Sequence, residues 1–327
     1  MNPSSGVLVD SKKHSGYPGL RRQVVSVPCK TNMTRRMENL SMILGAPDEI
    51  KNETWIQQFH SKGNISDMYD LNTNNIVQLE KYAATLVNRQ MIAGVVSPAS
   101  VFYWYGTKQV FLPAGRVQRP SFHHEFPDFK KFSGIGFTLA HELGHALHAC
   151  IVDDPLTSAA PITPFVSDWT RKNFLNLTSC VGKQYSSFEV EVRNVPSDLI
   201  VNGEQTLKEN VVDILGIQIS FKAFMEHGEV SSSPVHEQFP HLDFFGCDEF
   251  TKEQLFFISF AQEWCEAYES DQIEYERLTS QVRGDTHAPH SVRVMGMLAN
   301  FEEFSKAFHC PVGSRYNPEE KCGFFNI

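Results

Sequence analysis

No run of this chain is apolar for long enough to cross a bilayer as a helix. Positive charge is not in excess either. The net charge is −9, which argues against nucleic acid as a partner. Residues 1–14 are polar and lack the apolar centre of a signal peptide. By itself that implies a cytoplasmic chain, or one whose start is incomplete or unusual. The seven cysteines (Cys29, Cys150, Cys180, Cys247, Cys265, Cys310 and Cys322) form no C-x-x-C pair, which argues against a cysteine zinc site. Their odd count leaves at least one thiol free or paired outside the chain. No internal repeat is visible, so a solenoid is not expected.

What is present is ample material for a core. The 327 residues are 41% hydrophobic and include 25 Phe, enough for one large domain or two smaller ones. Asn-x-Ser/Thr sequons stand at Asn32, Asn39, Asn52, Asn64 and Asn176, mostly near the start. Their clustering favours a secretory route over the cytoplasm.

Residues 1–70 show little periodicity and predict loop, with short helices around 37–44 and 53–59, or partial disorder. Apolar spacing predicts an amphipathic helix over 74–91. Residues 95–105 and 109–112 are rich in β-branched and aromatic side chains, and Gly106-Thr107 between them predicts a hairpin. Further helices are expected over 133–151 with Ser133 as N-cap, 168–177, 206–225, 252–268 and 292–308. Residues 185–201 read as strand or loop. A loop rich in Gly, Ser, Pro and acidic residues fills 228–248. Glu209 follows Thr206 by three residues, a capping-box arrangement.

The chemistry concentrates in Phe137-Thr138-Leu139-Ala140-His141-Glu142-Leu143-Gly144-His145. On a helix, His141 and His145 lie at i and i+4 on one face, where they can share one metal ion. Glu142 stands about 100° round the helix, within reach of a water on that metal. H-E-x-x-H is the zinc-peptidase signature. The bland alternative is a buried helix with incidental histidines, and a third ligand elsewhere decides between the two. A catalytic zinc takes three protein ligands and keeps one position open. Glu209 opens a strongly patterned helix, and Asp213 at i+4 shares its face. Glu209 can bind metal, while Asp213 can orient a ligand histidine. Alone, the pair reads better as a first-turn Glu favoured by the helix dipole with a solvated Asp beside it.

From about residue 74 onward the chain resembles the neprilysin and endothelin-converting-enzyme family of zinc metallopeptidases. The resemblance rests on Val110-Phe111-Leu112-Pro113-Ala114-Gly115, on Gly134-Ile135-Gly136 leading into the H-E-x-x-H helix, and on Val201-Asn202-Gly203 before Thr206-Leu207-Lys208-Glu209-Asn210. It continues through Phe260-Ala261-Gln262-Glu263-Trp264-Cys265, Phe304-Ser305-Lys306-Ala307-Phe308-His309-Cys310 and Asn317-Pro318-Glu319-Glu320-Lys321-Cys322. It implies an α+β, mostly α, thermolysin-like domain over residues 74–327, with a small sheet at the cleft and zinc ligands on two long helices. Residues 1–73 would be the remnant of a larger N-terminal portion. It implies one Zn2+ held by His141, His145 and Glu209, Glu142 as catalytic base, and Asp213 behind a ligand. It implies His287 as the histidine that steadies the transition state and Arg293 as the arginine that grips a substrate carbonyl. Peptides would be the substrates, cut on the amino side of hydrophobic residues, in a secreted or cell-surface setting. A Cys180–Cys322 bridge is implied too. Cys265 and Cys310 match cysteines whose partners lie in the missing portion, one of which Cys29 could replace.

There are departures. Ser100-Val101 stand where the family places Asn-Ala on the edge strand that pairs with substrate. Lys208 replaces a Gly before the ligand Glu, His148 stands where an Asp is common, and Val212, Ile214 and Leu215 replace smaller or polar residues. The long N-terminal portion that caps the family's active site is largely absent. The missing cap, Ser100 and Lys208 motivate a second reading, a catalytically weak or inactive zinc-binding relative that captures peptides or partners. The intact Glu142 opposes it, since a binder has no need of a base.

Overall fold

The computed structural model describes residues 38, 40–45, 100–105, 108–151, 168–230 and 249–323. Along them run strands β1 (Ser41–Gly45), β2 (Phe102–Trp104) and β3 (Gln109–Pro113). Helices follow: α1 (Asp128–Lys131), α2 (Phe137–Ile151), α3 (Asp168–Tyr185), α4 (Leu207–Val230), α5 (Lys252–Gln262), α6 (Asp271–Gly284), α7 (His290–Ala299) and α8 (Glu302–Ala307). The architecture is α+β and mostly helical, with a small sheet. The expected helices over 53–59 and 74–91, the turn at Gly106-Thr107 and most of the loop over 228–248 lie outside the described residues.

The sheet has the order β1–β3–β2. β2 and β3 form the expected antiparallel pair, with Phe102 opposite Phe111 and Trp104 opposite Gln109. β1 lies parallel to β3, Ser41 opposite Gln109 and Gly45 opposite Pro113. This corrects the helix expected over 37–44. Weak local helix preference yields where Val110, Phe111 and Leu112, all buried, need backbone partners on both edges of their strand.

The metal-motif helix also begins differently. Helical backbone starts at Asp128 behind Pro127, runs through α1, widens into a π-helical segment over Phe132–Gly136, and continues as α2. Ser133 is therefore not an N-cap. It is fully buried, and its hydroxyl donates to Ser259 Oγ at 2.9 Å, since a buried hydroxyl needs a partner. The capping box expected at Thr206 is absent as well. The Thr206 hydroxyl donates to the Asn202 carbonyl and accepts from the Asn210 amide, which leaves Glu209 free to face the histidines. Such a box is found instead at Thr251 and Gln254, opening α5.

α3 runs two turns beyond its expected end, and α5 stops at Gln262, short of residue 268. α6 had no counterpart in the sequence reading. The helix expected over 292–308 is two, broken at Asn300. The buried Asn300 side chain donates to the Gly296 carbonyl and to Gln184, and accepts from the Cys322 backbone. A side chain that satisfies so many partners replaces a further helical turn.

α4 is apolar nearly all round. Val211, Val212, Ile214 and Ile217 have no exposed surface, as expected of a central helix. An aromatic cluster packs on it: Phe221 stacks on Phe257 at 5.0 Å and Phe224 on Phe256 at 5.4 Å. Cys180 and Cys322 form the implied disulfide, tying α3 to the C-terminal strap. Cys265 and Cys310 are free thiols. Cys29, Cys247 and the Cys150 side chain lie outside the described residues.

Candidate active site

α2 and α4 cross in close contact, and small residues permit it. A Cβ on Gly144 would lie 3.1 Å from the Val212 Cβ, and one on Gly216 would lie 3.1 Å from the His141 backbone nitrogen. The approach sets the histidines of α2 directly against the first turns of α4. His141 Nε2 and His145 Nε2 stand 3.3 and 3.2 Å from Glu209 Oε2. His287 Nε2, from the segment between α6 and α7, stands 3.3 Å from the same oxygen. Three imidazole nitrogens thus converge on one buried carboxylate oxygen that takes part in no well-formed hydrogen bond.

That orphaned oxygen tests whether a metal fits. The ligand atoms of His141, His145 and Glu209 all lie within 4.8 Å of one another, and all three residues are buried. Two imidazoles and a carboxylate are the donors a borderline divalent cation takes, and such a cation would satisfy the oxygen. The far side of each ring is held as well. Asp213 Oδ1 meets His141 Nδ1 at 2.8 Å, which leaves Nε2 to act as ligand. The Tyr105 hydroxyl lies 3.3 Å from His145 Nδ1. Sequence reasoning missed Tyr105, because no spacing ties the residue after β2 to a helix some forty positions later.

Asp213 is fully buried and doubly engaged. Arg293 Nε and Nη2 each donate to it at 2.7 Å, a bidentate pair. Burial pushes the Asp213 carboxyl up, but Arg293 and His141 outweigh it and hold it down at about 2. Burial pulls His141 down, yet Asp213 and Glu209 prevail and raise it to about 9. Glu209 is pushed up by burial and held far below the usual carboxylate range by the three imidazoles. Glu142 goes the other way: desolvation raises it, against the pull of His141 and His145. His287 is raised by Glu209, and Asp285 Oδ1 accepts from its backbone N–H at 2.8 Å.

A cleft of about 570 Å³ opens over these groups, within the range that holds small ligands and peptide side chains. Ser100, Val101, Glu142, Glu209, His287 and Arg293 all line it, so the residues singled out from the sequence meet in one place. Lys208 lines it too, and its ammonium sits 4.3 Å over the Tyr105 ring. His148 lies away from the cleft, its ring edge-on to Phe174.

A family model described as Peptidase family M13 matches residues 101–324. The chain is 31% identical over 300 residues to the "Endothelin-converting enzyme homolog" of Locusta migratoria, covering 88% of this chain and 38% of that protein. It is 33% identical over 230 residues to human "Endothelin-converting enzyme-like 1", 68% of this chain and 26% of that one. It is 30% identical over 248 residues to human neprilysin, 75% of this chain and 30% of that one. Among solved structures, the Mycobacterium tuberculosis zinc metalloprotease Zmp1 superposes with a TM-score of 0.64 at 18% identity, over 89% of this chain and 41% of that one. A chain of the Haemonchus galactose-containing glycoprotein complex gives 0.62 at 23%, over 92% and 49%. At these identities the structures share the fold alone. The chain spans between 26% and 38% of these curated relatives. With the motif helix, Glu209 and the blocks around them all inside the matched residues, the chain belongs to peptidase family M13, the family of neprilysin and the endothelin-converting enzymes.

Proposed function

We propose that this chain is a zinc-dependent metalloendopeptidase that hydrolyses peptides. The observation that carries the reading is the convergence of His141, His145 and Glu209 beside Glu142 at the floor of a cleft. Held by those three residues, the ion would polarise the scissile carbonyl and acidify water. Glu142 accepts the proton of the attacking water and delivers it to the leaving amine. Its desolvated carboxylate, raised above its ordinary pKa, is a stronger base than a surface glutamate. Asp213 orients His141. His287 and Arg293 donate hydrogen bonds to oxygen charge on the substrate. Arg293 commits Nε and Nη2 to Asp213 and keeps Nη1 for a carbonyl.

Ser100 and Val101, leading into β2, pair with the substrate backbone. The apolar faces of Phe137 and Trp264, whose rings meet at 5.7 Å, support a preference for a hydrophobic residue beside the cut bond. The sequons and the Cys180–Cys322 bridge support a secretory setting, since such bridges persist in oxidising compartments. Among the described residues no helix is long and apolar enough to cross a membrane.

The test is zinc quantification together with a quenched-peptide assay on the wild type and Glu142→Gln. Stoichiometric zinc in both, with cleavage lost in Glu142→Gln, is expected. Stoichiometric zinc with no Glu142-dependent cleavage would leave a metal-binding relative that captures peptides. A folded sample without zinc would remove both readings.

A further inference from the structure

We propose that Arg116 is a specificity-determining residue that recognises a carboxylate on the peptide, close to the bond that is cut. The proposal rests on the peptide-binding reading above and adds to it the chemical class of the substrate. Arg116 ends the short 3-10 turn that leaves β3, Ala114–Arg116, and reaches across the cleft to α2. There its Nη2 donates to the Thr138 hydroxyl at 3.4 Å, and that hydroxyl in turn donates to the Gly134 carbonyl. The Arg116 Nε is buried and has no hydrogen-bond partner.

Apart from Glu142, the other Lys, Arg and Glu side chains on the cleft walls are engaged. Arg293 is paired with Asp213, Lys208 lies over Tyr105, and Glu263 is paired with Lys130. Arg116 has no carboxylate partner among the described residues. A guanidinium offers a planar fork of donors that fits a carboxylate with two parallel bonds. Leaving a buried donor unmade is unfavourable, so an anionic ligand is the natural complement here.

The position is specific. Thr138 and Glu142 lie at i and i+4 on α2, about 6 Å apart. An extended peptide advances about 3.3 Å per residue, which puts the Arg116 contact within about two residues of the bond that Glu142 serves. A carboxylate there has two sources, an acidic side chain or the free C-terminus of a short peptide. Either is compatible with a hydrophobic neighbour against Phe137 and Trp264.

The experiment uses the zinc-loaded full chain and matched peptides. Glu, Gln and Lys are exchanged at each position within two residues of the cut, each peptide with a free or an amidated C-terminus. At one position, or with the free terminus, the carboxylate form is expected to be favoured about 10- to 100-fold. The ratio should collapse toward one in Arg116→Gln and turn toward Lys-containing peptides in Arg116→Glu. Dependence on the side chain or on the terminus names the source. Dissociation constants measured by fluorescence anisotropy on Glu142→Gln give the same comparison without catalysis. Equal binding and cleavage of all pairs by wild type, or a ratio that Arg116→Gln leaves intact, overturns the proposal; should Arg116→Gln fail to fold, the wild-type ratios still decide. Arg116-dependent carboxylate binding without cleavage would instead remove the peptidase reading and leave this one standing.

Discussion

Asp213 holds two partners whose charges it balances, the His141 ring and the Arg293 fork. Replacing it with Asn removes the charge while keeping the shape. Zinc affinity is expected to fall about 10- to 100-fold, measured by competition with a chromophoric chelator; unchanged affinity would mean that His141 is oriented by something else. Protons compete with metal at the same ring. Because Asp213 and Glu209 lift His141 to about 9, a proton must leave before Nε2 can bind. Affinity should therefore rise up to about tenfold per pH unit until about pH 9, and level off above it. In chelator-treated protein the sign is opposite. The folded-state pKa lies above the ordinary 6.5, so the contact stabilises fully below about 6.5 and that stabilisation fades as pH rises through about 9. The difference is on the order of 3 kcal/mol. Thermal stability across this window should therefore fall with pH without zinc and stay nearly level with saturating zinc, because the metal-bound ring and the unfolded ring are both deprotonated there. At this scale the sequence was most legible where side chains recur at helical spacing, as in His141 and His145 or Glu209 and Asp213. It was silent on Tyr105, whose contact with His145 depends on how a strand end lies against a helix.

The two ligand helices depend on small residues at their crossing. Gly216 faces the His141 backbone and Gly144 faces Val212, with no space for a branched side chain at either place. Gly216→Leu should force α4 away from α2 and cost about 1–3 kcal/mol. Zinc content should fall with it, because Glu209 and the histidines would no longer share a centre. A melt combined with metal analysis checks this, and full zinc occupancy at an unchanged Tm would show that the contact is dispensable. Helix identity was well marked in the sequence, where α2, α3, α4 and α5 were each expected. Boundaries were not. Ser133 looked like a cap because its hydroxyl is chemically able to be one, but burial against Ser259 claimed it. Asn300 broke a helix that periodicity ran straight through, because its partners come from Gln184 and Cys322, far off along the chain.

Across the whole molecule, the Cys180–Cys322 bridge spans 142 positions and ties α3 to the strap that follows α8. A loop of that length confers about 4–5 kcal/mol in the chain-entropy account. The double variant Cys180→Ala, Cys322→Ala should lower the unfolding midpoint in urea accordingly, and an unchanged midpoint would place the stabilisation in packing alone. The same scale separates the two sources of knowledge about this protein. The candidate ligand pair His141 and His145, with Glu142 beside them, is legible from local chemistry, because a metal needs particular donors and a helix places i and i+4 on one face. The contact of Arg116 with Thr138, the pairing of β1 with β3 and the bidentate hold of Arg293 on Asp213 join residues distant along the chain. Such contacts are settled by packing, which no short window of residues encodes.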